Sequence, residues 1–306
     1  MNTDPIAVVL SCDDKFVRHA ACTIASIVKN SDRRYQFYLL DCGISESNKQ
    51  KLAAWDLGGN ALKVMPMTQL EVFDKLARLS SYYPPANFYR MLLPELFPHI
   101  ERAIYLDSDI VVVGDLGELW DIDLGDQLMG VVYVDPDFVS CTLYAERKQH
   151  LGLDLQQRYF NNGVLLMNLP ALRTWGFLKK TIQFLSTASV ILDYPEQDAM
   201  NAVLPVNEVL GLAPRFNLMV PTPYAKRVAK QWGVTCVHYI RSKPWWFYKR
   251  FARCCPNFYF QWVQQYYYYT QYTPWASEAQ AEVSCGRFVK EVLKVLGRPI
   301  KYYLHG

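Results

Sequence analysis

The 306-residue chain has no GxGxxG after its first apolar segment and no Walker A loop. That disfavours a dinucleotide site and leaves any bound phosphate to metal and side chains. Eight cysteines are scattered at positions 12, 22, 42, 141, 236, 254, 255 and 285, with no CxxC pair or zinc-type array. Free thiols in this pattern point to a reducing compartment. No apolar run approaches the roughly 20 residues of a membrane-spanning helix. Met1-Asn-Thr-Asp-Pro5 lacks the basic start of a signal peptide, and Ile6–Leu10 is too short for its apolar stretch. The expectation is a cytoplasmic protein. A net charge of only +3 gives no basis for a nucleic-acid partner. Internal repeats and low-complexity linkers are absent as well.

What is present is a hydrophobic half, 51% of residues, enough for one large domain or a domain with an appendage. Ile6–Leu10 reads as a buried strand, and the spacing at 17, 20, 21, 24, 27 and 28 predicts a helix over 16–29. Further strands are expected at 35–40, 61–65, 103–107, 128–134, 160–168 and 235–239. Helices are expected at 45–55, opened by Ser45, and at 88–96, capped by Asn87. Pro195 followed by Glu196 and Asp198 suits a helix first turn. Strands alternating with helices imply an α/β fold with a mostly parallel central sheet covered on both faces. Ligands of such sheets sit at the carboxyl ends of the strands, where Asp13 and Asp107 fall.

Ala103-Ile-Tyr-Leu-Asp-Ser-Asp-Ile-Val-Val112 is the most informative stretch. An apolar strand delivers two carboxylates, Asp107 and Asp109, one residue apart. Carboxylates there are costly unless paired, and two together suit a hard divalent cation. The simpler alternative is a polar strand end entering a loop.

The segments Ser11-Cys-Asp-Asp14, Leu40-Asp-Cys-Gly-Ile-Ser45, Tyr105-Leu-Asp-Ser-Asp-Ile110, Leu119-Trp-Asp-Ile-Asp-Leu-Gly125, Phe160-Asn-Asn-Gly-Val-Leu-Leu-Met-Asn-Leu169, Glu196-Gln-Asp198, His238-Tyr239 and Lys243-Pro-Trp245 occur in this order. Together they resemble the family 8 glycosyltransferases, retaining enzymes of the GT-A fold that use UDP-hexoses. The bacterial lipooligosaccharide and lipopolysaccharide galactosyl- and glucosyltransferases are the members they look most like. The resemblance runs from about Val8 to Trp245.

The resemblance implies roles. Asp107, Asp109 and His238 would hold Mn2+, with Mg2+ as the other candidate; two carboxylates plus an imidazole suit Mn2+ better. Asp13 would recognise uracil, although it also suits a helix cap, and Phe16 would stack on the base unless it is core. Lys243 would reach the diphosphate, and Ser108 would join the donor site. Arg90, Asn161 and Asn162 would contact the sugar. Glu196 and Gln197 would form the catalytic pair, with Gln197 facing the anomeric carbon. Asp135 and Tyr194 would lie toward the acceptor. Three positions depart from the family pattern: Asn162 where alanine is common, Glu196 where aspartate is usual, and the short Arg241-Ser242 spacer before Lys243. The first two leave galactose against glucose open.

The resemblance thus implies transfer of galactose or glucose from a UDP-sugar to a lipopolysaccharide or lipooligosaccharide core acceptor. The expected division is a catalytic domain over 1–245 and a C-terminal membrane-association segment over 246–306. From Ile240 to Gly306 the chain has ten Lys/Arg and three Glu, interleaved with Trp and Tyr. Residues 283–296 read as a basic amphipathic helix. A peripheral position on the inner face of the cytoplasmic membrane, beside a lipid-linked acceptor, would follow; a helix packed on the catalytic domain is the alternative. Asp107-Ser-Asp-Ile-Val111 also matches the pattern of haloacid-dehalogenase-like phosphohydrolases. In those, however, the motif lies on the first strand and a later acidic pair follows. A non-catalytic membrane-associated sugar-binding protein is the third reading.

Overall fold

The computed structural model describes residues 4–67, 85–135, 146–149, 151–154, 157–188, 192, 194–248, 251–252, 257–278, 288–289 and 291–292. The main sheet comprises β1 (Ile6–Cys12), β2 (Tyr35–Asp41), β3 (Ala61–Pro66), β4 (Arg102–Leu106), β6 (Met129–Tyr133), β7 (Phe160–Asn168) and β8 (Val209–Gly211). Their order is β3-β2-β1-β4-β7-β6-β8. Neighbours pair in parallel except across β7, which is antiparallel to both β4 and β6. The mostly parallel α/β sheet expected from the sequence is therefore what forms. Every residue of β1 is buried, as a strand covered on both faces requires.

Two cores lie on the two faces. Val8, Leu10, Ile104 and Leu106 point to one side, against Ala20, Ile24 and Ile27 of α1 (Val17–Lys29). Ala7, Val9, Ala103 and Tyr105 point to the other, against Phe88, Met91 and Leu93. The helix expected to start at Asn87 is instead a 3-10 turn over Pro85–Leu92 that runs into the short α3 (Leu93–Leu96). Asn87 is inside it rather than capping it, and Pro94 sits in the first turn of α3, where its missing N–H costs nothing.

A second, three-stranded sheet decides the site. In it β10 (Cys236–Tyr239) lies between β5 (Ile110–Val112), antiparallel, and β9 (Leu218–Val220), parallel. The chain thus leaves the main sheet at Leu106, turns through Asp107-Ser-Asp109, and enters the second sheet at Ile110.

Most of the described C-terminal aromatics pack into the body, although Tyr248 and Tyr268 are exposed. Trp245, Phe247, Tyr259, Phe260, Tyr266, Tyr267 and Tyr269 are buried in one cluster with Val111, Leu218, Val237 and Tyr239. The Trp245 and His19 rings stack at 3.5 Å, and the His19 Nδ1 lies 2.7 Å from the Tyr266 hydroxyl. Burial pushes the His19 ring well below its ordinary pKa. A boundary at 245/246 therefore cuts through packed core. Helix α9 (Phe258–Thr270) belongs to the same body, with Tyr259, Phe260, Val263, Tyr266, Tyr267 and Tyr269 buried against the second sheet. The amphipathic helix expected over 283–296 lies outside the described residues except at 288, 289, 291 and 292. Among the described residues no helix is long and apolar enough to cross a membrane.

Candidate active site

Sheet register assembles a site from distant sequence. His238 pairs opposite Ile110, and the Tyr239 N–H donates to the Asp109 carbonyl at 3.1 Å. The imidazole is thereby delivered to the turn that follows β4. Its Nε2 lies 3.2 Å from Asp109 Oδ1 and 3.7 Å from Asp107 Oδ2. One ligand atom from each of Asp107, Asp109 and His238 lies within 4.8 Å of the others. The two His238 separations are within the roughly 4.4 Å that two bonds of about 2.2 Å to one cation can span.

The antiparallel β7 brings its first residues to the same place. Asp107 N–H donates to the Gly163 carbonyl at 2.9 Å. The β6–β7 register slips between Val131, opposite Leu165, and Val132, opposite Asn161, so 162–164 leave that ladder beside the site. A β-carbon on Gly163 would stand 2.3 Å from His238 Cε1 and 2.8 Å from Asp107 Oδ2. Only glycine leaves room for the ring between strand and carboxylate.

Cations already neutralise the carboxylates. Buried Arg90 donates to Asp107 Oδ1 at 2.8 Å and to the Asn162 carbonyl at 2.7 Å, and its guanidinium covers the Tyr105 ring. Burial alone would lower the Arg90 pKa, but Asp107, Tyr105 and Glu196 outweigh it and raise it. Lys243 Nζ bonds Asp109 Oδ2 and, at 2.5 Å, the Tyr239 carbonyl. Burial pushes the Asp109 carboxyl up, yet Lys243 and His238 together hold it well below the usual range.

Helix α7 (Pro195–Val203) faces this cluster. Asn201 pins it to β7, its amide bonding both the N–H and the C=O of Phe160 at 2.9 and 3.0 Å. Gln197 Oε1 accepts from Asn161 Nδ2 at 3.0 Å and from the Asn162 N–H at 3.2 Å. Glu196 is buried, and its Oε2 has no hydrogen-bond partner among the described residues. Burial raises its pKa to about 7 against the pull of Arg90. An orphaned buried carboxyl oxygen is an acceptor waiting for a hydroxyl. Because the folded pKa is raised, the stability Glu196 contributes is fully present below about pH 4.5 and is lost as pH rises through 7. His19, whose buried ring resists protonation, gives the opposite slope, so the comparison is with Glu196→Gln: between about pH 4.5 and 7 the metal-free parent should lose melting temperature relative to that variant. Parallel slopes in a melting series would show that Glu196 is not the titrating group.

Other expected residues frame the cluster. Ser108 Oγ donates to the Ser11 carbonyl at 2.9 Å, tying the turn to the end of β1. Asp13 Oδ1 accepts from the Lys15 and Phe16 N–H groups, both at 3.0 Å, closing the turn that leads into α1; the cap position is Phe16, with no side-chain cap bond, so Asp13 is not the helix cap. Phe16 is 37% exposed, edge-on to Trp245 at 5.8 Å. It is therefore no core residue, and its ring is open to a ligand. Asp135 bonds Arg227 at 2.6 Å, and the Tyr194 ring lies under the Arg147 guanidinium at 4.6 Å. Four participants carried no role in the sequence reading. Tyr105 donates to Asp107 Oδ1 at 3.1 Å. Tyr159 and Asn217 bond Gln197 and His238, respectively, and Gly163 makes the space. Gly163 was visible within Phe160-Asn-Asn-Gly163, but nothing local marked Asn217, which acts only once β9 lies beside β10.

A parallel-sheet α/β body with an Asp-x-Asp turn at its carboxyl edge is the GT-A arrangement of nucleotide-sugar transferases. The match to glycosyl transferase family 8 covers residues 7–248, and the chain belongs to that family. It is 28% identical to General stress protein A of Bacillus subtilis over 297 residues, 90% of this chain and 96% of that protein. It is 24% identical to a lipopolysaccharide 1,3-galactosyltransferase of Salmonella typhimurium over 259 residues, 80% of this chain and 74% of that one. The fold matches the crystal structure of the galactosyltransferase LgtC with a TM-score of 0.69 at 23% identity, covering 97% of this chain and 99% of that chain. The phosphohydrolase reading falls with the family match. The protein is a glycosyltransferase related to lipopolysaccharide glucosyl- and galactosyltransferases.

Proposed function

We propose that the chain is a retaining glycosyltransferase that moves galactose or glucose from a UDP-sugar to a lipopolysaccharide or lipooligosaccharide core acceptor, with Mn2+ bound by Asp107, Asp109 and His238. The observation that carries this is the convergence of those ligands with Gln197, Asn161 and the orphaned Glu196 oxygen at one strand edge. A bound divalent cation would offset the charge on the departing diphosphate.

The chain's own residues supply the rest. Lys243, which bonds the far oxygen of Asp109, would follow the diphosphate as a second counter-charge. Phe16 and Asp13 would hold the uracil by stacking and by accepting its imide N–H. Arg90, Ser108, Asn161 and Asn162 would line the sugar, and Glu196 would accept from a sugar hydroxyl. The Gln197 carbonyl oxygen would face the positive charge that develops at the anomeric carbon, an interaction that strengthens only near the transition state. An amide is a poor nucleophile, so attack from the face the diphosphate leaves is preferred, with a phosphate oxygen taking the acceptor proton. Asp135 and Tyr194 would meet the acceptor. Attachment to the inner membrane face is part of the same proposal. With most of the described aromatics packed inward, it rests on the C-terminal Lys/Arg excess, each worth about 1 kcal/mol near an anionic surface.

The test is UDP release from a panel of UDP-sugars with and without Mn2+, followed by proton NMR of the first-formed glycoside. Mn2+-dependent release from UDP-galactose or UDP-glucose and an alpha-linked product are expected. A beta product would overturn the retaining mechanism. Sugar-nucleotide binding with no turnover under any condition would mean a binding protein.

A further inference from the structure

We infer that Asn217 is a positioning residue that couples the metal ligand His238 to Gln197, by setting the histidine tautomer at one end and the orientation of two amides at the other. This rests on the proposed metal and Gln197 roles.

The polarity of the chain is set by groups that cannot flip. The Gly163 N–H donates to Asn161 Oδ1 at 3.0 Å, and the Asn162 N–H donates to Gln197 Oε1 at 3.2 Å. Backbone N–H groups only donate, so each of those side-chain atoms is the oxygen. Asn161 Nδ2 then donates to Gln197 Oε1 at 3.0 Å. Gln197 Nε2 donates to the Tyr159 hydroxyl at 3.0 Å, which donates to Asp198 Oδ1 at 2.5 Å. Asp198, ion-paired with Arg147 at 3.2 Å, accepts at that end. In the other direction, the Asn161 oxygen takes Asn217 Nδ2 at 2.8 Å. Asn217 must then turn its own oxygen to His238 Nδ1, 3.0 Å away. An oxygen there requires the proton on Nδ1, which leaves the Nε2 lone pair directed between Asp107 and Asp109. Metal-bound histidines are commonly oriented by such a bond on the remote ring nitrogen.

Asn217 is 2% exposed at the end of the 3-10 turn Pro214–Asn217, held between β9, β10 and the start of β7. Among the described residues, its side chain is the one that bonds both His238 and Asn161. It accepts at one end and donates at the other, which an amide does and a carboxylate or an alkyl group cannot.

Two substitutions separate the two ends. Asn217→Asp keeps an acceptor for His238 and loses the donor to Asn161. Asn217→Ala loses both. Mn2+ binding is measured by calorimetry without donor, and turnover by UDP release. Asn217→Ala should bind Mn2+ about 10- to 100-fold more weakly. Asn217→Asp should bind Mn2+ at least as well as the parent, while kcat falls about tenfold or more at little-changed donor KM. Parent-like Mn2+ affinity in Asn217→Ala, parent-like turnover in Asn217→Asp, or equal loss of both properties in both variants would each overturn the inference. Should neither variant fold, 15N NMR of the parent with Mg2+ decides: a proton on His238 Nδ1 supports the coupling, and one on Nε2 overturns it. Asp109→Ala and Gln197→Ala are the controls. If Asp109→Ala still binds Mn2+, the metal reading has failed. If Asp109→Ala loses Mn2+ and Asn217→Ala does not, only the Asn217 inference has.

Discussion

Asp109→Ala is expected to abolish both sugar transfer and Mn2+ binding while leaving the protein folded. Asp109 supplies the oxygen nearest the His238 Nε2, at 3.2 Å, and it also anchors Lys243. On the proposed reading, its loss would remove one metal ligand and release the Lys243 counter-charge for the diphosphate. A metal acting on a departing diphosphate is worth several kcal/mol, so turnover should fall by about a thousandfold or more. The fold should survive, because the backbone bond from Tyr239 to the Asp109 carbonyl is unaffected and Lys243 keeps the Tyr239 carbonyl. Calorimetry with Mn2+ and a melting curve check both halves. Residual transfer within tenfold of the parent would move the metal elsewhere.

Gly163→Ala should be nearly as damaging, although it adds a single methyl group. That methyl would sit 2.3 Å from His238 Cε1 and 2.8 Å from both His238 Nδ1 and Asp107 Oδ2. The imidazole is 3% exposed and held by Asn217, so it cannot yield without leaving the metal position. Overpacking of this kind costs about 1–3 kcal/mol of stability. The larger loss should be in Mn2+ affinity, at least about tenfold, the range seen when a metal-bound histidine loses its orienting partner. Mn2+ titration against melting separates the two effects. A variant that melts lower yet binds Mn2+ normally would show that His238 is a core residue and not a ligand.

Much of this site was legible in the sequence because its parts lie at strand and helix ends with recognisable composition. Phe160–Asn168 forms a strand with the bounds its polar ends suggested. Pro195 opens α7, with Glu196 and Asp198 in its first turn. Asp107 and Asp109 follow an apolar strand as expected. The C-terminal aromatics were harder to read. Trp, Tyr and Lys together describe an interfacial segment as well as a packed helix, and only the second sheet, which offers them a surface, distinguishes the two. The Asn87 cap failed for a related reason: polar residues before a helix often cap it, but here the turn begins earlier, with Phe88 and Met91 fully buried.

By itself, the sequence determined the strand–helix alternation, the two-faced burial of β1 and β4, and the residue types able to bind a hard cation and a sugar. Periodicity and hydrophobicity act over a few residues, so a chain carries them without reference to its fold. Tertiary structure alone decided which of those residues meet. His238 reaches Asp107 and Asp109 because β10 pairs with β5 in a register that sets it opposite Ile110. Asn161, Asn162 and Gly163 reach them because β7 runs antiparallel beside β4. Asn217 joins the two groups because β9 lies beside β10. These pairings are hydrogen-bond registers between segments far apart in the chain, and no local pattern encodes a register whose partner has yet to be chosen.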